Sequence, residues 1–246
     1  MLKIYSKSDV GLVRKLNEDA CRSGIFSDHV GWAVVCDGMG GANGGNVASS
    51  IAVENISQDL LTGYRAGMDG KAVQELITSS ITNANAAVHR IAGSSDSLTG
   101  MGTTVVAAIV SDGVAHVAHA GDSRAYLISP EKIRQLTTDH SMVQEMVEKG
   151  DLTAQQAKTH PQKNIITRAL GVESSLRIDY SETQLPAGNR LLICTDGLTN
   201  YVDEEQLFSL SKEMGGQELT EKLVSLAKNA GGSDNITVVV LEDEAV

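Results

Sequence analysis

Four aspartates sit at the edge of strongly apolar runs: Asp37 in WAVVCDGMGG, Asp122 in AHVAHAGDSRAYLI, Asp196 in RLLICTDGLTN and Asp234 in GGSDNITVVVL. Runs of this kind read as buried strands, and a carboxylate at the tip of one must be neutralised or paired. One such aspartate would be a turn residue. Four of them, each beside Gly, Ser or Asn, imply strand ends that converge on a common polar site. Hard divalent cations are the species that several carboxylates hold together. A further acidic cluster, Asn17-Glu18-Asp19, follows Arg14 in GLVRKLNEDA and on its own reads as a solvated loop. Beside the four aspartates it gains a chemistry. Two hard cations can share and deprotonate a water, orient it and stabilise phosphoryl charge during in-line attack, while an arginine fork grips the phosphate.

Other chemistries fail on spacing. A cysteine-based phosphatase needs an arginine six positions after its thiolate, and here those positions hold Ser27, Ala42 and Asn200. The glycine-rich stretch from Gly38 to Gly45 lacks the P-loop lysine and the G-x-G-x-x-G spacing, so it does not cradle a nucleotide. Glycine there allows backbone carbonyls to approach a ligand or metal closely. His116 and His119 lie three apart on a strand and point to opposite faces, which excludes them as a pair on one ion. His140 and His160 flank an irregular region, where each reads as a cap, a surface residue or a proton donor near a cleft.

The elements that must position these groups follow from periodicity. Strands are expected over 30–36, 103–110, 114–120 and 124–129, the second and third joined by a hairpin at Ser111-Asp112-Gly113, which makes Asp112 a turn residue. Residues 124–129 continue that meander. Helices are expected over 46–61, 71–91, 141–149 and 218–230, with another opened by a capping box at Asp203 and running through Leu210. Residues 151–171 are polar and poorly periodic. Segments 177–184 and 190–195 read as a second hairpin through Pro186-Ala187-Gly188-Asn189, and 236–241 as a closing strand. Helix pairs separated by antiparallel hairpins indicate layered α and β rather than a parallel βαβ sheet.

Composition bounds the rest. A chain of 246 residues with 41% apolar and 21% charged residues suits one soluble globular domain, here taken as residues 1–246. Aromatics are only 3%, so Val, Ile, Leu and Ala must build the core. A net charge of −11 with no basic stripe argues against nucleic-acid binding. The start MLKIYSKSDVG lacks a secretory apolar stretch, and the longest apolar run, VVAAIV, is too short to cross a bilayer. Three cysteines without metal spacing fit a reducing cytosol, so a cytoplasmic monomer without membrane insertion is expected.

Taken in order, the motifs are Arg14 with Asn17-Glu18-Asp19, Val35-Cys36-Asp37-Gly38-Met39-Gly40-Gly41, Gly102-Thr103-Thr104 and Gly121-Asp122-Ser123-Arg124. Then come Thr167-Arg168-Ala169-Leu170-Gly171, Thr195-Asp196-Gly197-Leu198 and Ser233-Asp234-Asn235-Ile236-Thr237. This set resembles the metal-dependent serine/threonine protein phosphatases (the PPM, or 2C-like, family) in its compact bacterial form, over nearly the whole chain. The resemblance implies an α+β fold, a four-layer αββα sandwich of two antiparallel sheets flanked by helices, with a flap at about residues 138–171. It also implies two Mn2+ or Mg2+ ions, with a possible third. Asp37 would bridge the pair with the carbonyl of Gly38, Asp196 and Asp234 would support one metal, and Glu18 the other through water. Arg14 would hold the substrate phosphate, Asp122 with Asp196 a third metal, and Asp19 and Asn235 would orient ligands. One departure stands out: Met39 occupies the place where several relatives carry a proton-donating histidine, and a thioether cannot protonate a leaving group. The expected activity is hydrolysis of phosphoserine and phosphothreonine in proteins, opposing a serine/threonine kinase and acting on its substrates. Alternatives are dephosphorylation of a sigma-factor regulator, a non-catalytic phosphoprotein-binding module, and a two-metal nuclease, which the acidic surface disfavours.

Overall fold

The computed structural model describes residues 1–243, apart from the side chains of residues 41–43. Its first sheet runs in the order β1 (Leu2–Asp9), β11 (Ile236–Asp243), β10 (Arg190–Cys194), β7 (Arg124–Ile128) and β8 (Ile133–Gln135). The second runs β2 (Asp19–Ser27), β3 (Val30–Met39), β5 (Val105–Ser111), β6 (Val114–Ala120) and β9 (Asp179–Gln184), with the short β4 (Gly102–Thr103) added beside the end of β3. Every pairing is antiparallel. The two long helices α1 (Gly41–Gly63) and α2 (Gly70–Ala92) cover the second sheet, and α6 (Glu204–Glu213) and α7 (Gly216–Asn229) cover the first. This is the four-layer αββα sandwich.

Alternation along the strands builds three cores. On β3, Trp32, Val34 and Cys36 pack with Ile56, Ile77 and other residues of α1 and α2, while Ala33 and Val35 face the opposite sheet. On β10, Leu192 and Cys194 meet Leu219 and Leu223 of α7, while Leu191 and Ile193 join the layer between the sheets. A strand with both faces covered has no polar face, which is why these segments read as continuous apolar runs. The inter-sheet layer is made of Ala, Val, Leu and Ile, as a chain poor in aromatics requires. Cys36 and Cys194 are buried free thiols, and burial pushes both well above the ordinary cysteine range, so they are inert.

Several expectations are corrected. The segments 177–184 and 190–195 do not form a hairpin: β9 pairs with β6 and β10 with β7 and β11, so Pro186–Asn189 carries the chain between sheets. Nor does the strand at Arg124 continue the meander, because the chain crosses to the other sheet between β6 and β7 through Gly121, Asp122 and Ser123. The strand expected over 103–110 is interrupted at Thr104. Within 151–171 a short helix, α4 (Ala154–Lys158), forms behind a Thr153–Gln156 capping box. Strands β1, β2 and β8 carry many half-exposed polar residues and gave no clear alternation. The Asp112 turn has φ 51, and the Asp203–Gln206 capping box opens α6 as expected. Among the described residues no helix is long and apolar enough to cross a membrane.

Candidate active site

Antiparallel register brings the acidic groups to one end of the sandwich. Asp19 opens β2 directly opposite Asp37 of β3. Asp196 follows the end of β10 and Asp234 precedes β11, which pair as neighbours with Cys194 opposite Val238. Asp122 lies in the crossing link between β6 and β7. Asp37 is held by its backbone: its N–H donates to Thr104 Oγ1 at 3.0 Å, and its carbonyl accepts from Thr104 N at 2.8 Å and Thr103 Oγ1 at 2.9 Å. Thr104 Oγ1 also shares a 2.7 Å bond with Ser123 Oγ, so one side chain ties the Asp37 strand to the Asp122 link. Gly38 lies so close to its neighbours that a Cβ there would strike the carbonyl oxygens of Gly45 and Glu18.

Glu18 and Arg14 come from the loop between β1 and β2. Arg14 Nη2 donates to Asp234 Oδ2 at 2.9 Å, and its Nη1 lies 3.8 Å from Glu18 Oε2. The loop is fastened by Asn235, which is 3% exposed. Its Oδ1 accepts from the Glu18 N–H at 2.8 Å, and its Nδ2 donates to the carbonyls of Val10 at 2.9 Å and Leu16 at 3.0 Å. Asp19 is buried behind these groups, its Oδ2 accepting from Thr195 Oγ1 at 2.9 Å and Thr237 Oγ1 at 2.7 Å, while its Oδ1 has no hydrogen-bond partner among the described residues.

The electrostatics are those of carboxylates crowded out of water. Burial, then the negative charges of Asp19, Asp196, Asp122 and Asp234, push Asp37 well above the carboxylate range. Burial pushes Asp122 up to about 8, with Asp196 and Asp139 adding to it. Asp19 rises to about 7, chiefly through burial and against the lowering bonds from Thr237 and Thr195. Asp196 also rises by burial and by Asp234, offset by bonds from Asn200 and Asp37. Protein surrounds Asp37, Asp122 and Asp196 on most sides, yet each keeps some accessible surface. The charges of Asp196, Asp122 and Asp234 raise Asp37, that of Asp234 raises Asp196, and such a crowd is not fully ionised without protons or cations among its members.

Known proteins share this sequence pattern and fold over nearly the whole chain. The protein phosphatase 2C family model matches residues 13–228. The chain belongs to the protein phosphatase 2C family. It is 38% identical over 241 residues to the serine/threonine phosphatase stp of Listeria monocytogenes, covering 96% of this chain and 94% of that protein. The solved serine/threonine phosphatase Stp1 from Staphylococcus aureus superposes with a TM-score of 0.93 at 32% identity, covering 100% of this chain and 96% of that one. The catalytic domain of the serine/threonine protein phosphatase PstP in complex with two manganese ions matches with a TM-score of 0.86 at 30% identity, with 99% of each chain covered. The molecule is thus a protein phosphatase of a metal-dependent family.

The donor set fits hard cations. It is all oxygen, its carboxylates raise one another by their charge, and among the described residues Asp19 Oδ1 has no hydrogen-bond partner. Among the described residues, no three His, Cys, Asp or Glu side chains already stand as a closed cage. Asp234 is turned onto Arg14 and Asp196 onto Asn200, whose Nδ2 donates to Asp196 Oδ2 at 3.0 Å. Asn200 is one residue that sequence reasoning missed. It stands one turn after Asp196 in the short helix α5 (Asp196–Thr199) and its cap, an element without a periodic signal. Thr104, Thr195 and Thr237 lay inside the quoted motifs but had been given no role.

Beyond Asp122 and Asp196 the site opens into a cleft of about 730 Å³, walled by α3 (Met142–Lys149) and α4 on one side and by α5 and the start of α6 on the other. Lys163 Nζ spans it to Asn200 Oδ1 at 2.8 Å. The histidines lie behind the site. His116 bonds Tyr180 Oη at 2.7 Å and His119 the Thr138 carbonyl at 2.9 Å, on separate partners as expected. His140 is buried, stacks on His119 and accepts the Gly121 N–H on Nδ1 at 3.1 Å. Its proton is therefore on Nε2, facing Asp179 Oδ2 at 3.3 Å, and the 2.9 Å approach of Arg168 Nη1 to that nitrogen is a contact between two donors. Burial lowers the pKa of both His119 and His140, so neither is a proton donor near neutral pH. His160 only braces its own turn, accepting from Gln162 N at 3.2 Å.

Proposed function

We propose that the chain hydrolyses phosphoserine and phosphothreonine in proteins with a water activated at a pair of Mn2+ or Mg2+ ions. The observation that carries this reading is the mutual crowding of Asp37, Asp122, Asp196 and Asp234 at one end of the sandwich, with Arg14 held on Asp234 beside Glu18. Asp37 and the carbonyl of Gly38 would lie between the two cations, with Asp196 and Asp234 on one and Glu18 on the other, and Asp122 with Asp196 would hold a third. Bound divalent cations would supply water activation and neutralisation of the carboxylates. Arg14 then leaves Asp234 and presents its fork to the substrate phosphate. Asn235 keeps the Arg14–Glu18 loop in register, and Asp19, anchored on Thr195 and Thr237, orients the groups around it. Residues 138–171 act as the flap beside the cleft. The substrates are phosphoproteins supplied by a serine/threonine kinase.

The test is direct. Purified protein with Mn2+ should hydrolyse an aryl phosphate and a phosphothreonine peptide, lose both activities in excess chelator, and be inactive as Asp37→Ala or Asp196→Ala. Arg14→Ala should chiefly raise KM. Undiminished hydrolysis in chelator would refute the metal-dependent reading.

A further inference from the structure

We infer that Met39 forms part of a side-chain pocket that reads the substrate two residues from the phosphorylated one; this rests on the phosphatase reading above. A second cavity, separate from the large cleft, has a volume of about 200 Å³. Met39, Ile166, Ala169, Val172 and Leu176 give it aliphatic walls. Met39 and Val172 converge over Gly102: a Cβ on that glycine would lie 2.9 Å from both Met39 Cε and Val172 Cγ2. Val172 is 48% exposed, an aliphatic side chain left facing solvent beside the site. The charged lining is balanced. Arg168 and Arg177 both lie on Asp179, at 2.8 and 3.7 Å, and Glu173 adds a second acidic group to the lining.

Size and register name the occupant. A cavity of about 150 Å³ accepts a benzene-sized group, so this one, half of whose lining residues are aliphatic, takes a single side chain along its aliphatic wall and not a whole segment. Asp37 and Met39 are two residues apart on β3 and therefore share a face, about 7 Å apart along the strand. An extended substrate has the same period: side chains at the phosphoresidue and two positions away point the same way, again about 7 Å apart. With the phosphate over Asp37, that neighbouring side chain falls on Met39. A flexible thioether suits such a wall, because it adapts to leucine, isoleucine or methionine alike. Met39 thus replaces the proton-donating histidine of some relatives with an apolar contact.

The experiment uses the Mn2+-loaded full chain and phosphothreonine peptides carrying leucine or alanine at the second position before or after the phosphoresidue, with an aryl phosphate as control. Leucine at one of these positions should raise kcat/KM at least about 10-fold over alanine. Val172→Ser, which removes an exposed wall, and Ser175→Trp, which plugs the cavity from an exposed position, should each erase that preference. Both should leave aryl phosphate hydrolysis unchanged. Equal kcat/KM for all peptides with normal aryl phosphate turnover would overturn the pocket, as would a leucine preference that survives Ser175→Trp. No turnover of any phosphate ester would overturn the phosphatase reading and the pocket with it.

Discussion

Asn235→Ala isolates the scaffold from the chemistry. The side chain makes three bonds that cross more than 200 positions of sequence, to Glu18 N, the Val10 carbonyl and the Leu16 carbonyl. Each is worth about 1 kcal/mol net, so their joint loss should cost about 3 kcal/mol. The stranded groups lie near the surface, since Leu16 is 43% exposed, and water reaching them keeps the penalty toward the lower end. If the loop opens locally, amide exchange at Glu18 should accelerate about 100-fold. If it stays coupled to the whole, the urea midpoint should fall instead. In either case Arg14 and Glu18 lose their position, and kcat/KM for an aryl phosphate should drop 10- to 100-fold, about the loss typical of removing an outer-shell partner. Asn235→Asp keeps the acceptor facing Glu18 N but turns acceptors toward two carbonyls, so it should not rescue. Unchanged exchange, stability within about 0.5 kcal/mol and normal kcat/KM would refute the fastening role.

Three further outcomes follow. Asp19 and Asp122 titrate near about 7 and about 8, far above the unfolded value, so the metal-free fold binds more protons than the unfolded chain between about pH 4 and 8 and must lose stability as pH rises through that window. Thermal melts in chelator should show that decline, and added Mn2+ should raise Tm more at pH 8 than at pH 5.5; a flat profile in chelator would contradict the crowding. Gly38→Ala forces a methyl group against the backbone carbonyls of Gly45 and Glu18, which no rotamer change relieves, and should cost about 1–3 kcal/mol in urea unfolding together with most activity. Asn200→Ala removes the donor on Asp196 and should weaken Mn2+ binding about 10- to 100-fold by calorimetry, with unaltered affinity excluding a role for Asn200 in orienting that carboxylate.

Most strands that sequence reasoning found are buried on both faces, such as β3, β5, β6, β10 and β11, whose unbroken apolar character needs no partner to be recognised, whereas β9 was found although none of its residues is fully buried. Those it missed, β1, β2 and β8, are half-covered and take their identity from pairing, as β1 does along the whole of β11. Sheet membership was the harder problem. A four-residue Pro-Ala-Gly-Asn connection suits a hairpin, but β9 and β10 each found a longer-range partner, and turn chemistry alone cannot exclude that. The same blindness placed Arg124 in the wrong sheet, although the crossing at Gly121–Ser123 is what delivers Asp122 to the cleft.

Why strand-end aspartates could still be read as one site follows from direction and not from register. Neighbours run antiparallel, so the C-terminal ends of β3, β6 and β10 adjoin the N-terminal ends of β2, β5, β7 and β11 at a single edge, with Asp19 opposite Asp37, Val105 opposite Ala120 and Cys194 opposite both Arg124 and Val238. Asp37, Asp122 and Asp196, which end or follow one set, and Asp19 and Asp234, which open or precede the other, are brought together there, while Asp9 and Asp179 at the same edge are taken up by Lys228 and Arg168. That convergence tolerates the misread hairpin and the misplaced meander. It does not extend to Arg14, Glu18 or Asn200, which come from a loop and a one-turn helix, where no periodic signal reports position. These groups do not crowd the centre, and they set what its charge can grip. On the proposed reading, residues outside the apolar pattern carry the selectivity, and Met39, at the last position of β3 where strand becomes loop, is where that division falls.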